Sequence, residues 1–375
     1  MIKSITVQNL RGSTEPSFTV TLNHDLNIIT GKNGSGKTTL LKLIWYLISG
    51  NIHRAIVETP FSYATIELNE YSMSIDISDP DHPEITVDRF GEERIFKKLS
   101  VNELDEHDMF ELDDEDPIVE AGGFTEDFGQ SLYFPTFRRV EGGYTIPRSN
   151  SRRVLATQNR RASSIEDAFS EISRRLSNMG HRFICSVSTD DIVQLVLNKY
   201  NSINEQYSSS QQKLSAELIS EIRAFQDKSS VLPMSTAEEV LNRIKNAIEQ
   251  VDQQRASLMQ SLNAVQSIVI SLFNKKSISF EDRYSFGEKT NAILSEHLSA
   301  GEKQILSFIC YNAFYDNTTI FIDEPELSLH VDWQRQLFPI LEAQSSTNQF
   351  IIATHSPFIY SKYPEKEIVL NDRGD

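Results

Sequence analysis

Cysteine and long apolar runs are both scarce in this chain of 375 residues. The two cysteines, Cys185 and Cys310, lie far apart and match no metal-binding spacing, so neither a disulfide framework nor a zinc site is expected. The best apolar run, from Leu40 to Ile48, contains Lys42 and is far shorter than the roughly 20 residues that cross a bilayer. These absences predict reduced, buried thiols in a cytoplasmic protein with no membrane partner.

Positive charge is also scarce, because 36 Lys and Arg stand against 53 Asp and Glu, for a formal net charge of −17. Such a surface repels nucleic acid as a whole, so contact with DNA needs a local basic patch. The segment from Arg138 to Arg182 has ten Arg, no Lys and only four acidic residues. Arginine makes bidentate contacts with phosphates and carboxylates. This segment therefore predicts binding of DNA or of an acidic, DNA-mimicking viral protein, or else salt bridges to an acidic loop or a neighbouring subunit.

Glycine is absent from residues 181–286, and Pro233 is the only proline there. Because these two residue types interrupt helices, the segment is expected to be largely helical. A Ser-Thr-Ala-Glu capping box at Ser235 predicts a helix that runs to about Leu272, and an earlier helix is expected over roughly 211–228. Since Pro233 lies between the two, we expect a helical hairpin.

Four short motifs in a fixed order carry the chemistry. The first, GKNGSGKT at residues 31–38, matches the P-loop pattern and lies between a predicted buried strand and a predicted helix. Its glycines let the backbone wrap around phosphate, Lys37 is expected to neutralise the β- and γ-phosphates, and Thr38 to bind Mg²⁺. The predicted nucleotide-binding residues here are Gly31, Lys32, Asn33, Gly34, Ser35, Gly36, Lys37, Thr38 and Thr39.

The motif TIFIDEPE at residues 319–326 is a predicted buried strand that ends in carboxylates. Ligands of open α/β sheets bind at the carboxyl ends of strands. We expect Asp323 to hold Mg²⁺ through a water molecule and Glu324 to act as the general base for the attacking water. ATP and Mg²⁺ are therefore the predicted ligands.

The two remaining motifs supply a helix start and a histidine. The motif LSAGEKQ at residues 298–304 opens a predicted helix whose N-terminus can bind an anion. Because the P-loop already binds one ATP, this second site is predicted to face the ATP of a partner copy. His355, after a predicted strand at 350–353, is expected to hydrogen-bond the γ-phosphate. The predicted residues at the helix start are Ser299, Ala300, Gly301 and Glu302.

Together these motifs resemble those of ATP-binding cassette (ABC) ATPases, over roughly residues 1–50 and 285–375. The wording NLRG, LSAGEKQ and DEPELSLH is similar to the RecF, SMC and OLD-like group of that superfamily. The resemblance implies that Arg11, at the place of the arginine in an N-F-R motif, contacts the nucleotide, although Leu10 replaces the usual Phe. It also implies a Gln that senses Mg²⁺, for which Gln130 and Gln158 are both candidates.

The predicted fold class is α/β. We expect an ABC-type P-loop ATPase head, with a mixed sheet plus an antiparallel β subdomain, and an inserted helical hairpin. Alternating apolar residues over 60–90 indicate the antiparallel part. The expected domains are residues 1–160 for the N-terminal part of the head, 161–280 for the helical insertion, and 281–375 for the C-terminal part.

OLD-type proteins carry a nuclease domain after the ATPase, whereas 20 residues follow His355 here. The chain therefore resembles the ATPase subunit of two-component anti-phage systems of the Septu or PARIS type. The resemblance implies head-to-tail dimers that sandwich ATP and regulate a separate effector, expected to be a nuclease encoded nearby. A RecF-like DNA repair ATPase that binds DNA is the alternative. A transporter motor is disfavoured by the long segment between the motifs and by His330, where transporters have Asp.

Overall fold

The computed structural model describes residues 1–10, 18–79, 83–97, 117–136, 163–185, 189–227, 234–273, 299–344 and 346–370. The strands are β1 (Ile2–Gln8), β2 (Phe18–Thr21), β3 (Leu26–Gly31), β4 (Tyr63–Leu68), β5 (Ser72–Asp76), β6 (Glu84–Arg89), β7 (Glu92–Lys97), β8 (Gln130–Phe134), β9 (His181–Phe183), β10 (Thr318–Asp323), β11 (Gln349–Ala353) and β12 (Glu367–Leu370). The helices are α1 (Lys37–Ile48), α2 (Ile52–Glu58), α3 (Pro117–Glu126), α4 (Ser163–Leu176), α5 (Thr189–Asp227), α6 (Met234–Phe273), α7 (Ala300–Phe314), α8 (Val331–Glu342) and α9 (Pro357–Tyr360). Short 3₁₀ turns lie at Pro325–Ser328 and Pro364–Lys366.

One six-stranded sheet has the order β12-β3-β11-β10-β8-β9, and every described pairing in it is parallel. Strands β10 and β11 are buried along their whole length, as their continuous apolar sequences predict for a sheet covered on both faces. The P-loop strand β3 lies between β11 and β12. The carboxyl ends of β3, β8, β10 and β11 therefore share one edge of the sheet, which is where ligands of such sheets bind.

The second sheet, of order β2-β1-β4-β5-β6-β7, is antiparallel throughout its described pairings. Burial alternates along β4, β5 and β6, so one face of this sheet packs on a core and the other does not. The α/β class is thus confirmed, with the strands divided between one parallel and one antiparallel sheet.

A common hydrophobic core joins the two sheets through helix α1. Trp45 of α1 is fully buried, and its ring centroid lies 5.4 Å from those of both Tyr133 and Phe183. A buried amide adds a polar link between the sheets: Gln349 at the start of β11 accepts from the Ile2 backbone N–H at 2.9 Å and donates to the Ile2 carbonyl at 2.8 Å. The antiparallel sheet is therefore fixed to the strand that leads to His355.

The chain divides into two compact units. The first comprises residues Met1–Asp191, Leu298–Phe308 and Tyr315–Asp375, and the second comprises Ile192–His297 and Ile309–Phe314. The helical unit thus begins near residue 192 and not at the predicted boundary of 161. The reason is that β9, only three residues long, pairs with β8 and so keeps α4 and β9 in the unit that holds the parallel sheet.

The second unit contains the predicted helical hairpin. Helix α6 agrees with the prediction within one residue at each end, whereas α5 begins at Thr189, well before the predicted residue 211. The Arg255 guanidinium lies 4.8 Å from the ring centroid of Tyr207. Along the chain, the two residues are about equally far from the connection between α5 and α6, as an antiparallel pair of helices requires. None of the helices that the structure describes is both long enough and apolar enough to cross a membrane.

The pH dependence of stability is expected to depend on His181. This side chain is buried beside Ser131 (Nδ1 to Oγ 2.8 Å), and burial lowers its pKa from 6.5 to about 4. As the pH falls below the unfolded-state pKa, the unfolded chain takes up a proton that the folded chain does not bind. We expect the free energy of unfolding to fall by roughly 2 kcal/mol between about pH 7 and about pH 5. Urea unfolding at both pH values measures this difference.

The matched variant for this test is His181→Asn, which cannot titrate in this range. Its stability is expected to be lower than that of the parent chain but less dependent on pH. An equal loss of stability in both proteins between the two pH values would assign the effect to other groups.

Candidate functional site

The P-loop has the backbone that its glycines predict. Gly31, Gly34 and Gly36 have φ values of 146°, 89° and 93°, a region that other residues rarely adopt. A Cβ at Gly31 would lie 2.3 Å from the carbonyl oxygen of Leu370, so a side chain there is also excluded by space. At the tip of the loop, Lys32 and Asn33 are exposed to solvent. Thr39, in the first turn of α1, is half-buried.

Lys37 lies inside the P-loop. Its side chain is buried, and its Nζ donates to the carbonyl oxygens of Gly31 at 3.1 Å and Lys32 at 3.0 Å. Burial lowers the pKa of Lys37, although the nearby carboxylates of Glu324 and Asp323 act in the opposite direction. The loop thus holds an ammonium group against its own carbonyls, next to the acidic residues that follow β10.

Asp323 is buried at the carboxyl end of β10 and accepts two hydroxyl hydrogen bonds. Thr38 Oγ1 donates to its Oδ1 at 3.0 Å, and Thr136 Oγ1 donates to its Oδ2. The structure thus brings together the two predicted metal-binding residues, Thr38 and Asp323. Thr136 was missed by the sequence analysis, and its only signal is its position just beyond β8, the parallel neighbour of β10.

The structure corrects one of the two candidates for the Mg²⁺-sensing glutamine. Gln130 opens β8 and pairs with Thr318 at the start of β10, where Thr318 Oγ1 donates to its Oε1 at 3.4 Å. Asp323 lies at the other end of β10, about 16 Å along the strand. Gln130 is therefore at the wrong edge of the sheet for this role. The other candidate, Gln158, lies outside the described residues, as does Arg11.

Glu324 follows Asp323 in a left-handed conformation with φ 47°. Its backbone N–H donates to the carbonyl of Ala353 at 2.8 Å, and its Oε1 lies 3.7 Å from His355 Nε2. Burial and the neighbouring carboxylate of Asp323 raise the pKa of Glu324, partly offset by His355 and Lys37. A carboxylate with a raised pKa is a better proton acceptor, which suits a general base.

A third carboxylate, Glu326, completes this cluster. Its Oε1 accepts the backbone N–H of His355 at 2.6 Å, and its Oε2 is buried with no hydrogen-bond partner among the described residues. Its charge is one of the causes that raise the pKa of Glu324. Glu326 was not assigned a role from the sequence, although the last acidic residue of DEPE was the available signal.

The start of α7 forms a capping box. Glu302 Oε2 accepts from Ser299 N at 2.8 Å and from Ser299 Oγ at 2.9 Å, and the Glu302 N–H lies 3.4 Å from Ser299 Oγ. Ser299 and Ala300 are exposed and Gly301 is half-buried, whereas the helix is buried from Gln304 onward. Helix α7 therefore exposes its N-terminus while the following turns pack inside the protein.

The donor set of this site fits a nucleotide with Mg²⁺. Thr38 and Asp323 offer oxygen ligands 3.0 Å apart, and Mg²⁺ usually takes only one or two protein ligands together with phosphate oxygens and water. In the part of the chain that the structure describes, no group of three or more His, Cys, Asp or Glu is arranged to hold a metal alone. Within the described residues, the Ser35 hydroxyl of the loop is buried without a hydrogen-bond partner, which fits a site for an anion.

Comparison with known proteins gives a family and several relatives. The family model described as "AAA ATPase domain" matches residues 1–360. The Retron Ec83 probable ATPase of Escherichia coli is 34% identical over 101 residues, which cover 23% of this chain and only 19% of that protein. The Retron Vc95 probable ATPase of Vibrio cholerae serotype O1 biovar El Tor is 24% identical over 374 residues, which cover 92% of this chain and 68% of that protein.

Two solved structures are also similar, at a low level. The Smc head domain of Pyrococcus furiosus, with an extended coiled coil and bound to the C-terminal domain of ScpA, has a TM-score of 0.37 and 14% identity, and the match covers 96% of this chain and 91% of that one. An SmcHead bound to the C-winged helix domain of ScpA has the same TM-score and coverage at 12% identity.

The raised pKa of Glu324 predicts how Glu326→Gln changes the pH dependence of ATP hydrolysis. The substitution keeps an oxygen that can accept the His355 N–H but removes a negative charge that raises the pKa of Glu324. Glu324 then stays deprotonated at lower pH, so the acid limb of the kcat profile is expected to move to lower pH. Steady-state rates between about pH 5 and about pH 8 measure the limb.

The control is Glu365→Gln, which removes an exposed carboxylate just before β12, at the amino edge of the parallel sheet and so away from Glu324. Its acid limb is expected to coincide with that of the parent chain. An unmoved limb in Glu326→Gln would show that this charge does not tune the base.

Proposed function

The chain belongs to the AAA ATPase domain family and is an ATP hydrolase, and we propose that it acts as an ATP-sandwiched dimer that regulates a separate effector in anti-phage defence. The family match confirms the ATPase that the four motifs predicted. The dimer, the effector and the defence role are our proposal. The observation that carries it is a hydrolytic site whose α7 N-terminus, Ser299 and Ala300, is turned to solvent.

Within one copy, different residues at the edge of the parallel sheet bind the phosphates, hold the metal ion and accept the proton. The loop N–H groups and Lys37 bind the phosphates of ATP, while Thr38 and Asp323 hold the metal ion. Bound Mg²⁺ supplies positive charge that offsets the charge on the phosphate oxygens. Glu324 accepts the proton of the attacking water, and His355 beside it donates to the γ-phosphate.

The second half of the site is proposed to come from a partner copy. The exposed helix start at Ser299 and Ala300 offers backbone N–H groups and the positive end of a helix, which favour an anion. Ser299 is engaged by Glu302 of its own helix and not by the P-loop of the same copy. In two copies placed head to tail, each ATP would therefore contact the P-loop of one copy and the exposed helix start at Ser299 and Ala300 of the other.

The dimer is tested with Glu324→Gln, which keeps the shape of the base but cannot accept the proton. With ATP and Mg²⁺, native mass spectrometry is expected to show a species at twice the chain mass of 42.7 kDa with bound nucleotide. Because ATP is not consumed, this species should persist. Lys37→Ala in the same background removes the phosphate contact and should leave the monomer, whereas a dimer that forms equally without ATP would contradict the sandwich.

The effector and the defence role are supported by the relatives' names, since both are retron probable ATPases and one of them matches 92% of this chain. We propose that ATP binding keeps the dimer on the effector and that hydrolysis releases it. Purification of Glu324→Gln together with the proteins of its own operon tests this. A stable complex with a second protein supports the proposal, and a homodimer alone, with no effector gene beside its own, speaks against it.

The described part of the arginine-rich segment gives little support to the RecF-like alternative. Arg174 and Arg175 both pair with Glu171, and the Arg182 guanidinium lies 5.6 Å from the ring centroid of Tyr315. All of these contacts lie within the chain, and the other seven arginines of the segment lie outside the described residues. Titration of the ATP-bound protein with duplex DNA at several salt concentrations tests this alternative, because DNA binding must weaken steeply with salt.

A further inference from the structure

The turn that carries Glu324 has an unfavourable backbone that its surroundings must maintain. Glu324 has φ 47°, which is uncommon for a residue with a Cβ. Such conformations persist only where neighbouring contacts fix them. The backbone N–H of Glu324 donates to the Ala353 carbonyl. Farther along the turn, the Pro325 carbonyl accepts from a side-chain amide, and the Glu326 carbonyl accepts from a second side-chain amide in addition to the Leu329 backbone N–H.

The first amide comes from α7. Gln304 is 1% exposed, and its Nε2 donates to the Pro325 carbonyl at 3.2 Å. Its Oε1 is buried with no hydrogen-bond partner among the described residues. A buried amide with one unused acceptor is unfavourable for stability compared with an apolar side chain of similar size. We therefore attribute the role of Gln304 to its hydrogen bond with the Pro325 carbonyl in the turn.

The second amide comes from α8. Gln334 Nε2 donates to the Glu326 carbonyl at 3.4 Å and to the Leu329 carbonyl at 2.7 Å. Its Oε1 accepts from Ser356 Oγ at 2.6 Å, in the segment directly after His355. Gln334 therefore joins the turn of the general base to the segment of the histidine.

We propose that Gln304 and Gln334 are positioning residues for Glu324, which hold its carboxylate at the place where it meets the attacking water. This proposal rests on the function proposed above. Without the two amides the turn relaxes from its left-handed conformation, and the carboxylate moves away from the reacting atoms and toward solvent. Both effects act on the chemical step and leave the phosphate contacts of the P-loop in place.

The test uses Gln304→Met and Gln334→Met, which keep an unbranched side chain of similar length but remove the donor. The expected result is a fall in kcat of about 10- to 100-fold for each, the size of effect that a small misplacement of a catalytic group produces. The Kd for ATP, measured with a fluorescent analogue in the full chain, is expected to change by less than about twofold, because binding does not use the turn.

A double-mutant cycle with Glu324→Gln separates positioning from a general structural role. If Gln304 acts through Glu324, then Gln304→Met should slow the residual single-turnover hydrolysis of Glu324→Gln by less than about twofold. A structural role predicts the full loss in both backgrounds and a weaker Kd for ATP, and this outcome overturns the proposal. Gln334→Met provides the same cycle if Gln304→Met does not fold.

The matched control is Gln336→Met, an exposed glutamine on the same helix as Gln334, which is expected to keep the parental rate. The Glu324→Gln parent separates this proposal from the one on which it rests. Normal hydrolysis by Glu324→Gln overturns the base assignment and the positioning role together. An inactive Glu324→Gln with fully active Gln304→Met and Gln334→Met overturns the positioning role alone.

Discussion

The carboxylate of Asp323 is buried at the end of β10, and the hydrolytic site is built around it. A buried carboxylate is costly unless hydrogen bonds satisfy it, and here two threonine hydroxyls, from Thr38 and Thr136, do so. The three residues come from α1, from β10 and from the segment after β8, so one buried charge fixes the spacing of three elements. The P-loop and Glu324 keep a constant separation because Asp323 is hydrogen-bonded to Thr38 and directly precedes Glu324.

Among the residues that the structure describes, negative charge exceeds positive charge around Asp323. Three carboxylates, those of Asp323, Glu324 and Glu326, act on the single ammonium of Lys37. The raised pKa of Glu324 is one expression of this excess. A divalent cation would offset this excess, so the arrangement that raises the pKa of Glu324 also suits the metal ion of our proposal.

The parts of the site that could be predicted are those in which the chemistry is local in sequence. Lys37, Thr38, Asp323 and Glu324 each belong to a motif with its own strand or helix, and the structure places them together. Thr136 was missed and Gln130 was kept as a candidate, because the positions of both depend on the register between β8 and β10, which no local pattern encodes. The start of the second unit at Ile192, later than the predicted boundary at 161, depends on a similar pairing, because the three-residue strand β9 has too little sequence to reveal its partner.

The position of β3 in the parallel sheet has a consequence for how the protein is made. Both neighbours of this strand, β11 and β12, come from the last part of the described chain, and the carbonyl of Leu370 lies against Gly31. A ribosome therefore releases the P-loop sequence long before the strands that flank it exist. The nucleotide site therefore cannot close until residues up to 370 have left the ribosome and folded, and ATP turnover is expected only after that point.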